Sequence, residues 1–216
     1  MTNSVIGVRN IQHTNGTNAM VIDSDGTVTF SGAPPYRTGE IIEAIIGTCD
    51  GRTVTSLSGN YTLTNVTAIQ TGTTTDTLIN GSSITYTPPL GTKKVLYRFT
   101  YHWDNSENSG ISHHKLFLEG TEIIPAYKSI AGNYVTNHHN NMSVTLEHVI
   151  MCDHTSDDQA NGLLNSWTTA KNIQCKFREY SGSYECVLHK NTWRDGAGSV
   201  APYIIHKPQL ELMAIA

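Results

Sequence analysis

The side chains of this chain that could do chemistry are numerous but scattered. It carries ten histidines, with adjacent pairs at His113-His114 and His138-His139. Successive residues of a strand point to opposite faces, so neither pair can close on one ion by itself. One histidine per chain could still meet its copies on the axis of a symmetric oligomer. No converging set of ligands is visible in the sequence, however, and the expectation is solvated loop histidines and no metal. The cysteines, Cys49, Cys152, Cys175 and Cys186, form no C-x-x-C pair, which leaves out a zinc ribbon or a redox motif. Cys175 and Cys186 flank Ser181-Gly182-Ser183, which reads as a hairpin turn. That centre would not set the two thiols opposite each other, so reduced cysteines packed as small apolar residues are expected.

Two acidic clusters, Asp23-Ser24-Asp25-Gly26 and Asp153-His154-Thr155-Ser156-Asp157-Asp158, have oxygens suited to calcium. Neither has the alternating spacing and distant glutamate of a calcium loop, so turn chemistry is the expectation for both. The sequence lacks G-x-S-x-G, H-E-x-x-H, the phosphate-binding loop and the dinucleotide fingerprint. Glu40, Glu43, Glu179 and Glu185 fall within strand-like segments and read as solvent-facing or packing residues rather than as a hydrolytic pair. No catalytic residue and no cofactor is expected, and the chain reads as a non-enzyme.

Recognition chemistry is better represented. The segments 132–141 (GNYVTNHHNN) and 191–199 (NTWRDGAGS) combine an aromatic ring with amides, imidazoles and charged groups. Aromatic faces stack on sugar rings, and amides and carboxylates hold hydroxyls. Tyr134, Asn137, His138, His139, Trp193, Arg194 and Asp195 are the candidate ligand-binding residues. Loops of this kind at one end of a rigid scaffold are common recognition sites. Five N-x-S/T sequons, starting at Asn15, Asn60, Asn65, Asn80 and Asn141, are about what the composition gives by chance.

The elements that must position these loops follow from composition and periodicity. Charged residues are 15% of the 216, while Thr, Ser and Asn together make up about 29%. Thr suits the outer face of a strand, and Asn, Ser and Gly suit turns. Strand signals recur from residue 37 onward. In KKVLYRFTYHW, Val95, Tyr97, Phe99, Tyr101 and Trp103 share one face at period two; in MSVTLEHVIMC, Val144, Leu146, Ile150 and Cys152 do the same. EIIEAIIG, NYTLTNVTAIQ, SSITYT, HHKLFLEG, TEIIPAY, NIQCKFREY, YECVLHKNTW and QLELMAIA complete the set. About ten strands with regular turns predict an all-β fold, an antiparallel β-sandwich of jelly-roll type, spanning 37–216. One short helix is expected within 161–171, where Leu163, Leu164 and Trp167 have helical spacing. The apolar end, PQLELMAIA, implies a central strand or an interface between chains.

Residues 1–36 read as a separate arm. In NAMVIDSDGTVTF, Asp25-Gly26 makes the turn of a two-stranded hairpin, and Ser31-Gly32-Ala33-Pro34-Pro35 is a stiff linker. A two-stranded hairpin is marginal alone in water, so Met20, Ile22, Val28 and Phe30 are expected to bury against another chain. The chain should therefore be a homo-oligomer. Net charge is −4 with no basic stripe, which argues against nucleic acid. No apolar run reaches membrane-spanning length, and the N-terminus lacks the pattern of a secretory signal.

The stretch NIQHTNGTNAMVIDSDGTVTF resembles a hairpin of tail-fibre-like virion structural proteins of phages and aquatic viruses. SSITYTPPLGTKKVLYRF, HHKLFLEGTEI and AKNIQCKFREYSGSYECVLHKNTWRDG are similar to the same group. The resemblance implies a trimeric virion protein, made in the host cytoplasm. Its arm would join other virion structural proteins, and a head sometimes likened to C1q or tumour-necrosis-factor folds would meet a host surface glycan. A capsid decoration or cement subunit is the alternative, and a cellular C1q-like or lectin-like module a further one.

Overall fold

A computed structural model of the chain describes residues 10–12, 18–22, 24–26, 28–30, 36–105, 110–132, 140–192 and 204–216. The arm contains β1 (Asn10–Gln12), β2 (Asn18–Ile22) and β3 (Val28–Phe30). Gly26, at φ 86°, supplies the left-handed residue of the turn between β2 and β3. The expected two-stranded hairpin gains a third strand, because β1 pairs with the other edge of β2. Met20 thus lies opposite both Ile11 and Phe30. These three strands form a sheet of their own. Met20 and Ile22 are half-buried in it, whereas Ile11 and Val28 remain 47% and 46% exposed, so this sheet does not cover its own apolar residues.

From Ile41 the chain runs through β4 (Ile41–Thr48), β5 (Thr53–Ser56), β6 (Gly59–Thr62), β7 (Gln70–Thr71), β8 (Thr77–Leu78) and β9 (Ile84–Tyr86). The long strands follow: β10 (Lys94–Asp104), β11 (Ile111–Leu118), β12 (Thr121–Ala131), β13 (Asn141–Met151) and β14 (Lys171–Glu179). The chain ends on β15 (Val187–Leu188), β16 (Lys190–Asn191), β17 (Ile204–Ile205) and β18 (Gln209–Ile215). One sheet has the order β4-β18-β10-β15-β7, with β13 on the other edge of β10; the second has the order β12-β11-β14-β8, with β9 also on β14. All their pairings are antiparallel.

The result is the predicted all-β, jelly-roll-type sandwich. Its core is the alternation read in the sequence: Val95, Tyr97, Phe99, Tyr101 and Trp103 are fully buried, facing Leu116, Leu118, Ile173, Cys175 and Phe177. On the outer face of β10, Arg98 joins Glu147 and Glu211, which lie directly opposite it on β13 and β18. The C-terminal strand β18 sits between β4 and β10, which accounts for its apolar sequence without a partner chain.

Two local expectations fail. No helix forms within 161–171; the segment before it makes one 3-10 turn at Gln159–Asn161, closed by Gly162 at φ 72°. Polar side chains compete for the backbone here: Asp157 accepts the Asn165 amide N–H, and the Asn165 carboxamide donates to the His154 carbonyl. Leu164 and Trp167 are still buried, but from an irregular segment. Second, the turn at 181–183 does not close a hairpin. β14 belongs to one sheet and β15 to the other, so 180–186 is the passage between them. Cys175 and Cys186 are free, as are Cys49 and Cys152; all are buried, and burial pushes each thiol up to about 12.

Candidate functional site

The seven residues expected to bind ligand, Tyr134, Asn137, His138, His139, Trp193, Arg194 and Asp195, lie outside the described residues. Their anchoring points are described, and the fold gathers them. β10 ends at Asp104, and Asn105 follows as the foot of the segment leading to β11. Asn105 Oδ1 accepts the backbone N–H of Asn140 at 2.9 Å, and Gly132 N–H donates to the Gly110 carbonyl at 2.8 Å. The feet of 106–109 and 133–139 are thereby fastened together. Asn141 Oδ1 then accepts the backbone N–H of Thr192 at 3.4 Å, and Thr192 Oγ1 donates to the buried Asp104 carboxylate. This brings in the foot of 193–203. The described feet of the two recognition segments read from the sequence therefore lie at the same end of the sandwich.

Space at these feet is filled closely. A Cβ on Gly110 would come 2.9 Å from Asn105 Cβ and 3.0 Å from Trp103 Cζ2. A Cβ on Gly132 would come 3.0 Å from Asn105 Nδ2. The polar groups are less well served. The Nδ2 atoms of Asn105, Asn140 and Asn141 are buried with no acceptor among the described residues, although buried donors are almost always paired. Beneath them lie three histidines. His102 Nε2 approaches Asn141 Oδ1 at 3.3 Å, its ring is 5.2 Å from that of His206, and His189 N–H donates to the His102 carbonyl. His189 is fully buried at φ 63°, with neither ring nitrogen partnered among the described residues. Burial, helped by His206 and His102, holds it down to about 4. Burial also lowers His102, against the pull of its Asn141 hydrogen bond. Among the described residues no three His, Cys, Asp or Glu side chains converge as metal ligands.

The other singled-out groups are placed as follows. His113 and His114 lie in β11, as the strand reading of HHKLFLEG has it, and are not solvated loop histidines; as adjacent residues they face opposite ways. His114 is fully buried and links Tyr101 Oη, 2.5 Å from its Nδ1, with Ser112 Oγ, 2.7 Å from its Nε2. Trp103 Nε1–H donates to the same Ser112 Oγ at 2.8 Å. Ser112 and His114 have the contact of a nucleophile and base, but both are sealed in the core, where they satisfy each other and two aromatic rings. Nothing in the sequence pattern marks this network, since an inward polar residue at period two looks like a break in the core.

Glu43 is buried, and its carboxylate accepts hydrogen bonds from Ser58 N–H (2.8 Å), Ser58 Oγ and Tyr86 Oη. Glu179 is buried and accepts the Cys186 N–H at 2.9 Å, its pKa raised by burial. Its oxygen fits only because residue 72 is glycine: a Cβ there would stand 2.5 Å from it. Glu40 and Glu185 face solvent. In the second acidic cluster, Asp153 pairs with Lys93, Asp157 caps Asn165 and Asp158 accepts from Asn161. A cleft of about 270 Å³ opens elsewhere, lined by Pro88, Pro89, Leu90, Ser166 and Trp167.

No family model matches the chain, and no curated protein matches it. Among solved structures, it is similar to a chain of the infectious bursal disease virus Gt strain at 10% identity and a TM-score of 0.33, covering 92% of this chain and 47% of that one. It is also similar to a chain of the infectious bursal disease virus Gx strain at 8% identity and a TM-score of 0.25, covering 93% and 68%. The chain thus spans about half the length of the Gt-strain chain. These TM-scores are too low for either likeness to bear on function.

Proposed function

We propose that this chain is a non-enzymatic virion surface protein, a fibre- or spike-like appendage. It joins the particle through residues 1–36 and meets host surface glycans through the loop end of its sandwich. The observation that carries this reading is the gathering of the feet of 106–109, 133–139 and 193–203 at one end of a rigid scaffold, over buried amide donors with no acceptor among the described residues. A binding surface needs polar groups held in place by packing, and this end supplies them. The arm supports the assembly half of the proposal. Its three strands pair only with one another among the described residues and leave Ile11 and Val28 exposed. A small sheet of that kind gains most by docking on another chain. No described helix is long and apolar enough to cross a membrane.

A glycan array tests the recognition half. The full chain should retain a defined set of neutral glycans, and Tyr134→Ala or Trp193→Ala should abolish retention of these while leaving the melting temperature unchanged. Retention of the same neutral glycans by both variants at the unsubstituted level would refute the loop-end site. Failure of the full chain to bind any glycan would favour the capsid decoration reading.

A further inference from the structure

The outer face of the second sheet carries a set of groups that neither folding nor the loop-end reading uses. His113 on β11 lies directly opposite Ser129 on β12 and Arg178 on β14. Tyr127 and Tyr180 stand two residues along from those partners, on the same face. Tyr180 keeps the strand register, because its N–H donates to the Ile111 carbonyl. The rings form a row: Tyr127 stacks on His113 with centroids 5.9 Å apart and planes 24° apart, and Tyr180 meets His113 edge-on at 6.2 Å. Tyr184 extends the row 5.9 Å beyond Tyr180. Tyr127 Oη and Ser129 Oγ lie 2.6 Å and 3.0 Å from His113 Nδ1, which fixes the middle of the row. Yet Tyr180 is 59% exposed and Tyr127 42%. Large rings locked in position and left in water on a strand face cost solvation and return nothing to the fold.

The charges around the row are uneven. Lys115 is held by Asp76 at 2.8 Å and Glu122 at 3.5 Å. Arg178 makes no ion pair among the described residues; its Nη1 reaches only the Glu179 carbonyl, at 3.2 Å. In a chain of net charge −4, an unneutralised guanidinium beside two exposed rings, Tyr127 and Tyr180, is a local positive site. Burial and the nearby Arg178 and Lys115 cations keep His113 below its usual value, so the cation on offer is Arg178.

We propose that this face, centred on Tyr127, His113, Arg178 and Tyr180, binds a carboxylate-bearing saccharide. The C–H face of a pyranose lies on the tyrosine rings, as apolar hydrogens do on any aromatic face. The planar fork of Arg178 takes the carboxylate through two parallel N–H donors. Ser129, Tyr127 and His113 offer hydroxyl and imidazole partners for ring hydroxyls. A protein partner fits less well, because the centre of a stable protein interface is apolar and depleted in charge, whereas here charged groups reach the centre. This site lies on a sheet face and does not depend on the loop-end site.

Saturation-transfer NMR and titration calorimetry on the full chain test it with four probes: 3′-sialyllactose, trigalacturonic acid, lactose and lactose 3-sulfate. The two carboxylated sugars should bind in the millimolar range, lactose at least roughly tenfold more weakly, the loss expected for one charge-assisted bond, and lactose 3-sulfate no more tightly than the carboxylated sugars. Tyr180→Ala and Arg178→Gln should each weaken the carboxylated sugars by a similar factor at unchanged melting temperature, since both residues lie at the surface. Tyr134→Ala and Trp193→Ala should not. Binding lost in the loop variants and kept in Tyr180→Ala would overturn the sheet-face site while supporting the loop-end reading. Equal binding of lactose, tighter binding of the sulfated sugar than of either carboxylated one, or no binding of either carboxylated sugar, would overturn the assignment.

Discussion

At the level of single residues, the chain places more polar chemistry inside its core than its sequence discloses. His114 and His189 are the clearest cases. Burial lowers His114 to about 3 and His189 to about 4, against 6.5 for an exposed imidazole. Both are neutral in the folded chain near pH 7. Because their folded values lie below the unfolded one, their contribution to stability is complete above about 6.5. It is lost as acid protonates the unfolded chain first. A tenfold change in a protonation equilibrium is about 1.4 kcal/mol, so moving from pH 7 to pH 4 costs about 3 kcal/mol for each histidine, against a total stability of about 5–15 kcal/mol. His102 acts in the same direction, while Glu179, with a raised value, works against it. Thermal melts at intervals from pH 7 to pH 4 should show a falling midpoint that is flattened in His114→Gln. A midpoint independent of pH over that range would contradict the burial of these rings. The sequence placed His113-His114 at the start of a strand yet read them as solvated, because period two cannot tell an inward histidine, satisfied by Tyr101 and Ser112, from an interruption of the core face.

At the level of elements, the long strands were legible and the short ones were not. β10 and β13 announce themselves because one face alternates with the other along the strand, and the apolar residues read on that face are buried. β7, β8, β15, β16 and β17 are two residues long. They are strands only by virtue of a neighbour, which no local pattern encodes. The same limit made a hairpin of 175–186, where Cys175 and Cys186 in fact belong to different layers. It also made a helix of 161–171, where Asp and Asn side chains satisfy the backbone in place of helical hydrogen bonds. The end of the chain left two readings open, and its placement between β4 and β10 decides for the strand. Leu212, fully buried in β18, should cost about 2–5 kcal/mol when cut to alanine. Ile46 on β4, 48% exposed, should change stability by less than about 0.5 kcal/mol. Urea denaturation of both variants checks this; equal costs would mean that β18 packs on something other than the sandwich core.

At the level of the whole molecule, a two-layer head has its own core, and the arm is a small sheet that leaves apolar residues uncovered. The division near residue 37 is proposed from the Pro-containing linker and the change in pattern. The third strand of the arm could not be read from the sequence, because Asn10–Gln12 offers only Ile11 as an apolar residue. The described feet of the loops that the sequence singled out share one end of the head through contacts of Asn105, Asn141 and Thr192, residues that carry no signal of their own. On the proposed account the head recognises and the arm assembles. Light scattering and circular dichroism on the full chain and on residues 37–216 test that division most directly. The expected result is a trimer for the full chain and a monomer for the shortened one, with the β-sheet spectrum and a cooperative melt kept. A full chain that is monomeric, or a shortened chain that stays trimeric or loses its fold, would contradict it.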